Sequence, residues 1–234
     1  MVFKRLLQAM GVGGPSVETV LANPNCRPGG YLEGRIQVIG GEQAVDVEYL
    51  AIGLVAHEEF HRQRLTGSFK LDAGARHEID LHVAVPWETP ITEVYGQHLH
   101  GMTMGLSTEL EVAREVVSSD LDPVAVHPLP AQERILDALL RLGFRFSRAD
   151  VEPGRVHGVA QQLPFHQQIE FHPPAAYASG IDQLGLTFVA TPGVLHVVLE
   201  MDMRTGRFDV DYATVDQIDW AAQLDTWLSR RGRF

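Results

Sequence analysis

Apolar and polar residues alternate singly along two long stretches of this chain, and between them the repeat lengthens to that of a helix. In the first stretch Leu32, Ile36 and Val38 oppose Glu33, Arg35 and Gln37. Further on, Leu50, Ile52, Leu54 and Ala56 share one parity, as do Ile79, Leu81, Val83 and Val85. A period of two puts such residues on one face of a strand. MTMGLSTELEV adds Met102, Met104, Leu106, Leu110 and Val112. Turn sequences such as NPNCRPGG separate these runs, and no repeated βαβ alternation occurs, which predicts an antiparallel sandwich.

Pro128 and Pro130 stop that pattern, and Pro130 suits the first position of a helix, where its missing N–H has no intrahelical partner. Ile135, Leu136, Leu139, Leu140 and Leu142 then form the apolar stripe of an amphipathic helix, which Gly143 ends. Alternation returns with Phe165, Ile169 and Phe171, with Leu184, Leu186 and Phe188, and with Leu195, Val197, Leu199 and Met201, so a second sandwich is the economical reading. A C-terminal helix follows, with Thr214 and Gln217 spaced as a capping box and Ile218, Ala221, Ala222, Leu224, Trp227 and Leu228 as its stripe. The whole chain thus predicts an all-β protein of two tandem sandwich domains, residues 1–126 and 127–234. Three helices accompany them: one short at the N-terminus, one after the interdomain linker and one at the C-terminus.

The N-terminal helix sets Phe3, Leu6, Leu7 and Met10 against Lys4, Arg5 and Gln8. A helix this short is marginal in water and must dock, so these four apolar residues are candidate partner-binding positions. Residues 2–10 also suit weak peripheral attachment to a membrane surface. Homo-oligomerisation stays open.

At 234 residues, 45% hydrophobic and 21% charged, the chain can bury a core in each half. A formal charge of −11 with almost no lysine speaks against nucleic-acid binding, which needs clustered cations. The first residues do not read as an export signal, because Lys4 and Arg5 interrupt a brief apolar pattern that has no cleavage site. A cytoplasmic protein, at most peripheral at the membrane, is expected. Cys26, the single cysteine, excludes disulfide frameworks and cysteine-rich zinc sites.

His57-Glu58-Glu59-Phe60-His61 fits the zinc signature H-E-x-x-H and supports an alternative function, a zinc-dependent hydrolase with Glu58 as base. That signature needs a helix. On a strand, four residues separate the imidazoles by about 13 Å, too far for one ion. The alternation up to Ala56 favours the strand. His98 and His100 could face one side of a strand but lack a third ligand nearby. No G-x-S-x-G elbow occurs, and GVGG at 11–14 follows a helix instead of opening one, so no catalytic residue, metal or cofactor is assigned. Asp120 and Asp122 are candidate interdomain polar contacts, and Trp87, between two prolines, is a packing anchor or an exposed aromatic contact.

Several segments together resemble the bacterial sporulation-control SpoOM family over nearly the whole chain. They are VFKRLLQAMGVGG and VETVL, PGGYLEGRIQVIGG, VPWETPIT, DLDPVAVHPLPAQERILDALLRLGFRF, LPFHQQIEF and DWAAQLDTWL, in that order. The resemblance implies an arrestin-like pair of β-sandwiches. It also implies a non-enzymatic adaptor acting through unidentified protein partners in sporulation, development or stress physiology. It brings no catalytic residues.

Overall fold

The computed structural model describes residues 13–112, 115–118, 121–201 and 204–229. In chain order its strands are β1 (Ser16–Leu21), β2 (Asn25–Cys26), β3 (Tyr31–Ile39), β4 (Val45–Val55), β5 (Glu59–Arg64), β6 (Phe69–Leu71) and β7 (Arg76–Ala84). Then come β8 (Glu93–Val94), β9 (Gln97–His98), β10 (Gly105–Val112), β11 (Glu115–Ser118), β12 (Asp122–Pro123) and β13 (Ala125–Val126). Helix α1 (Pro130–Arg141) leads into β14 (Arg145–Pro153), β15 (Phe165–His172), β16 (Leu184–Ala190), β17 (Val194–Met201) and β18 (Arg204–Asp211), and α2 (Trp220–Ser229) closes the order. The fold is all-β, as the alternation predicts.

The chain divides into two compact units that interleave in sequence. Among the described residues, the first holds those up to Cys26, those of Tyr31–Ala84 and those of Thr103–Val124; the second holds Arg27–Gly30, Val85–Met102 and those from Ala125 onward. In the first unit, β1, β3 and β7 form one antiparallel sheet, and β11, β10, β4 and β5 form another, with β12 beside β10 and β6 beside β4. Leu32, Ile36 and Leu81 of the smaller sheet and Leu50, Ile52, Leu54, Leu106 and Leu110 of the larger are buried. Each such side chain stabilises the fold by roughly 1.5–3 kcal/mol on leaving water. Between the layers, the hydroxyls of Thr19 and Thr108 meet at 2.6 Å, a buried polar pair satisfied internally. β1 and β3 approach so closely that a Cβ on Gly34 would lie 2.3 Å from the Val20 carbonyl oxygen.

The second unit is a five-stranded antiparallel meander, β14 to β18 in sequence order. Ile169, Phe171, Leu184, Leu186, Leu195, Val197, Leu199 and Val210 are buried. Helix α2 packs against its last strand. Trp220 of α2 stacks on Phe208 at 5.7 Å, and Trp227 lies so close to β18 that a Cβ on Gly206 would sit 1.9 Å from its ring.

Helix α1 begins at Pro130 and ends as the sequence predicts. Its first turn is held by Gln132, whose side-chain oxygen accepts the Leu129 N–H at 2.7 Å. Its end is a Schellman motif. Gly143 takes φ +90, its N–H donates to the Leu140 carbonyl at 2.9 Å, and the Phe144 N–H donates to the Leu139 carbonyl at 3.0 Å.

The C-terminal helix differs from expectation at its start. Thr214 and Gln217 bound a single 3₁₀ turn, closed by the Gln217 N–H on the Thr214 carbonyl at 2.9 Å, and Ile218 is extended. The cap of α2 is Asp219, whose carboxylate accepts the Ala222 N–H at 3.2 Å. The buried stripe is therefore Trp220, Leu224 and Leu228, while Ile218 is exposed.

Candidate docking site on the second unit

The β8–β9 hairpin turns through Tyr95 and Gly96 with φ of 53° and 72°. Positive φ at both central residues is the geometry of a type I′ turn, which suits glycine and asparagine and strains a tyrosine. The strain sets the Tyr95 ring over α1, where its hydroxyl donates to the Asp137 carboxylate. Burial, then that carboxylate, push the phenol far above its ordinary range.

Beneath the hairpin lies an apolar pocket of about 170 Å³. Leu136 and Leu140 of α1, Phe146 of β14, and Ile169 and Phe171 of β15 line it, with Val94 and Leu99 of the hairpin. Phe146 and Phe171 meet edge to face, their centroids 6.3 Å apart. Tyr95, Gln97 and His98 form a rim exposed to solvent, and Leu140 is 43% exposed. Periodicity puts Leu140 in the covered stripe of α1; in the structure it opens onto this pocket.

Several segments that carry the family resemblance hold the hairpin in place. Trp87 packs against Gly29, where a Cβ would lie 2.4 Å from the indole, and its ring sits 6.2 Å from that of Tyr212. It is a packing anchor. Glu88 accepts the backbone N–H of Gln162 and of Leu163, each at 2.7 Å. The side chain of Gln167 bonds both backbone groups of Ile91, accepting from its N–H at 3.0 Å and donating to its carbonyl at 2.7 Å. Thr92 accepts the Val126 N–H at 2.9 Å. Arg27 donates to the Pro128 carbonyl and pairs with Glu133 at 3.3 Å, bracing the start of α1.

The other predicted positions are distributed as follows. Phe3, Leu6, Leu7, Met10 and Asp120 lie outside the described residues. Asp122 is in β12, paired in register with Leu106 of β10. His61 falls inside β5 and His57 in the turn before it, so the segment lacks the helix that makes H-E-x-x-H a zinc signature. His98 ends β9 with its ring 3.7 Å from Glu93, whereas His100 lies beyond that strand in a turn. Among the described residues no three His, Cys, Asp or Glu side chains gather as metal ligands. Cys26 is buried, which pushes its thiol up to about 11, away from nucleophilic use. The sequence reading missed Tyr95, Leu140 and Phe146 as site residues; the available signal was a Tyr-Gly turn between Val94 and Gln97, next to a helix with an apolar edge.

Comparison with known proteins places this architecture. The model of the SpoOM protein family matches residues 3–205. The sporulation-control protein spo0M of Bacillus subtilis (strain 168) is 31% identical over 216 residues, which covers 86% of this chain and 81% of that protein. The crystal structure of Spo0M, sporulation control protein, from Bacillus subtilis superposes with a TM-score of 0.81 at 26% identity, covering 94% of this chain and 99% of that one. Matching sequence over most of both chains, with the same fold, shows that this chain belongs to the SpoOM family.

Proposed function

We propose that the chain is a non-enzymatic, arrestin-like adaptor that regulates sporulation, or a related developmental or stress response, by binding protein partners. The observation that carries this reading is the open apolar pocket with Tyr95 at its mouth in the second unit, on a chain homologous to a sporulation-control protein. Apolar lining with a polar, exposed rim suits recognition of another protein. Acid–base or nucleophilic chemistry needs converging polar groups instead. A cytoplasmic location is part of the proposal, with Phe3, Leu6, Leu7 and Met10 as a second contact for partners or a membrane surface. No described helix is long and apolar enough to cross a membrane.

The test is affinity capture of the tagged chain from its native cell with quantitative mass spectrometry, beside a deletion strain scored for spore formation and stress survival. Reproducible partners together with an altered phenotype support the adaptor. A deletion without phenotype and a capture without partners would sink it. Loss of partners in a folded Phe3→Ser, Leu6→Ser, Leu7→Ser variant would assign the contact to the N-terminal segment.

A further inference from the structure

Building on the adaptor reading, we propose that Tyr95 is a phosphoacceptor, and that a phosphoryl group on its hydroxyl moves the hairpin tip from Asp137 to Arg141, one turn along α1. The backbone gives the first argument. Tyr95 is the one non-glycine residue with positive φ among the described residues, in a two-residue turn that Asn-Gly would make without strain. Phenylalanine would cover the pocket as well as tyrosine does. What the strained position adds is a hydroxyl, and that hydroxyl reaches the Asp137 carboxylate.

Presentation gives the second. Tyr95 stands at the tip of a hairpin of two residue pairs, Glu93 with His98 and Val94 with Gln97, and it is 55% exposed. So short a ladder is marginal by itself and opens readily to a modifying enzyme, for which exposed loop tips are the accessible part of a chain. The chemistry is phosphoryl transfer from a nucleoside triphosphate, catalysed by a protein tyrosine kinase. Oη attacks the γ-phosphorus, the bond to the β-phosphate oxygen breaks, the nucleoside diphosphate leaves, and the phenolic proton passes to a base of the kinase.

Charge gives the third. The free phenol donates to Asp137, but a phosphoryl group carries about −1.5 to −2 at pH 7, so the donor is gone and the carboxylate repels what replaces it. Arginines flank Asp137 on both sides in α1. Arg134 is held by Asp216 at 2.7 Å, and Glu133 is paired with Arg27 at 3.3 Å. Arg141 is exposed, makes no ion pair among the described residues, and is near enough to the Tyr95 hydroxyl to favour its ionisation. At i and i+4, Asp137 and Arg141 share a helix face with Cβ atoms about 5–6 Å apart, within reach of an arginine side chain. One face thus offers an acceptor to the free hydroxyl and a guanidinium to the phosphorylated one. Leu140 precedes Arg141 at the pocket mouth, so the switch redraws the opening on which the adaptor reading rests.

The chain captured from its native cell during growth, starvation and stress, with phosphatases inhibited, should yield a peptide phosphorylated at Tyr95 by mass spectrometry. No phosphate at Tyr95 in any of these states would overturn the proposal. The switch is read separately on the full chain with phosphotyrosine encoded at position 95. Its second ionisation, followed by phosphorus NMR, should lie about half a pH unit or more below that of the same chain carrying Arg141→Gln. The Leu140 methyls should move with the phosphoryl group, and Tyr95→Phe, which only loses the Asp137 bond, should not reproduce that shift. Equal titration with and without Arg141, or a Leu140 shift reproduced by Tyr95→Phe, would overturn the switch. So would loss of the Leu195 and Leu199 methyl signals, which would report an unfolded meander. The same capture separates the two readings. Partners bound to a chain never phosphorylated at Tyr95 remove the switch and leave the adaptor; a phosphorylated chain without partners keeps the modification site and removes the adaptor.

Discussion

Gln167 stands in for a β-strand neighbour of Ile91, its side-chain amide bonding both the N–H and the carbonyl of that residue while almost wholly buried. Gln167→Leu leaves both Ile91 groups without a partner, and two such losses cost about 2–4 kcal/mol. Chemical denaturation should show it. Gln167→Glu is the sharper test, because a protonated acid can still donate to the Ile91 carbonyl but a carboxylate cannot. Its folded-state pKa is therefore raised, so its stability should be highest at acid pH and fall as pH rises through that value. A flat curve for this variant would refute the geometry.

The Thr19–Thr108 contact predicts non-additivity. Thr108→Val removes one hydroxyl and leaves the other buried and unpaired, at a cost of about 1–3 kcal/mol. Thr19→Val should behave alike. The double variant should be less destabilised than the sum, with a coupling of about 1 kcal/mol. Strict additivity would mean that the two hydroxyls do not interact.

Arg148 grips Glu170 with two bonds, at 2.7 and 2.9 Å, and holds its carboxyl below the usual glutamate range. A lowered folded-state pKa gives stability that is complete above the unfolded value and lost as pH falls through the folded one. Arg148 is 57% exposed, so solvent screens the pair and its contribution is small. Wild type should be slightly more stable than Glu170→Gln near neutrality, and the gap should close as pH falls below about 4. A constant gap across acid pH would exclude this pair as its source.

Cys26 should react slowly. Burial holds its thiol near 11 and leaves it 7% exposed, so at pH 8 about one molecule in a thousand carries the thiolate. Aromatic disulfide reagents should label the native chain far more slowly than the chain in denaturant. Equal rates would show that Cys26 is open.

Much of this fold is legible in the residues themselves. Leu50, Ile52, Leu54, Leu195, Val197 and Leu199 are buried where period two places them, and α1 spans the residues between Pro130 and Gly143 that local backbone chemistry selects. Thr214 misled because its capping-box spacing is a weak local pattern, and Asp219 offered the stronger cap five residues on. Leu140 misled because periodicity reports which face of a helix is apolar, not how far its neighbours extend over that face. The pocket was illegible for the same reason: Val94, Leu136, Phe146 and Ile169 come from four elements, and their meeting depends on long-range contacts.

The sequence by itself determined the class of the long elements β3, β4, β7, β10, β15, β16, β17, α1 and α2, because alternation, helical period and Pro–Gly punctuation act over a few residues. It also carried the family, since ordered segments along most of the chain bear it. Only the tertiary structure decided that residues 85–102 join the second unit, that Trp220 and Trp227 of α2 pack against β18, and that a strained Tyr95 roofs an apolar pocket. Those outcomes rest on Glu88, Gln167 and Trp87 finding partners more than fifty residues away, and no local pattern encodes such a distance.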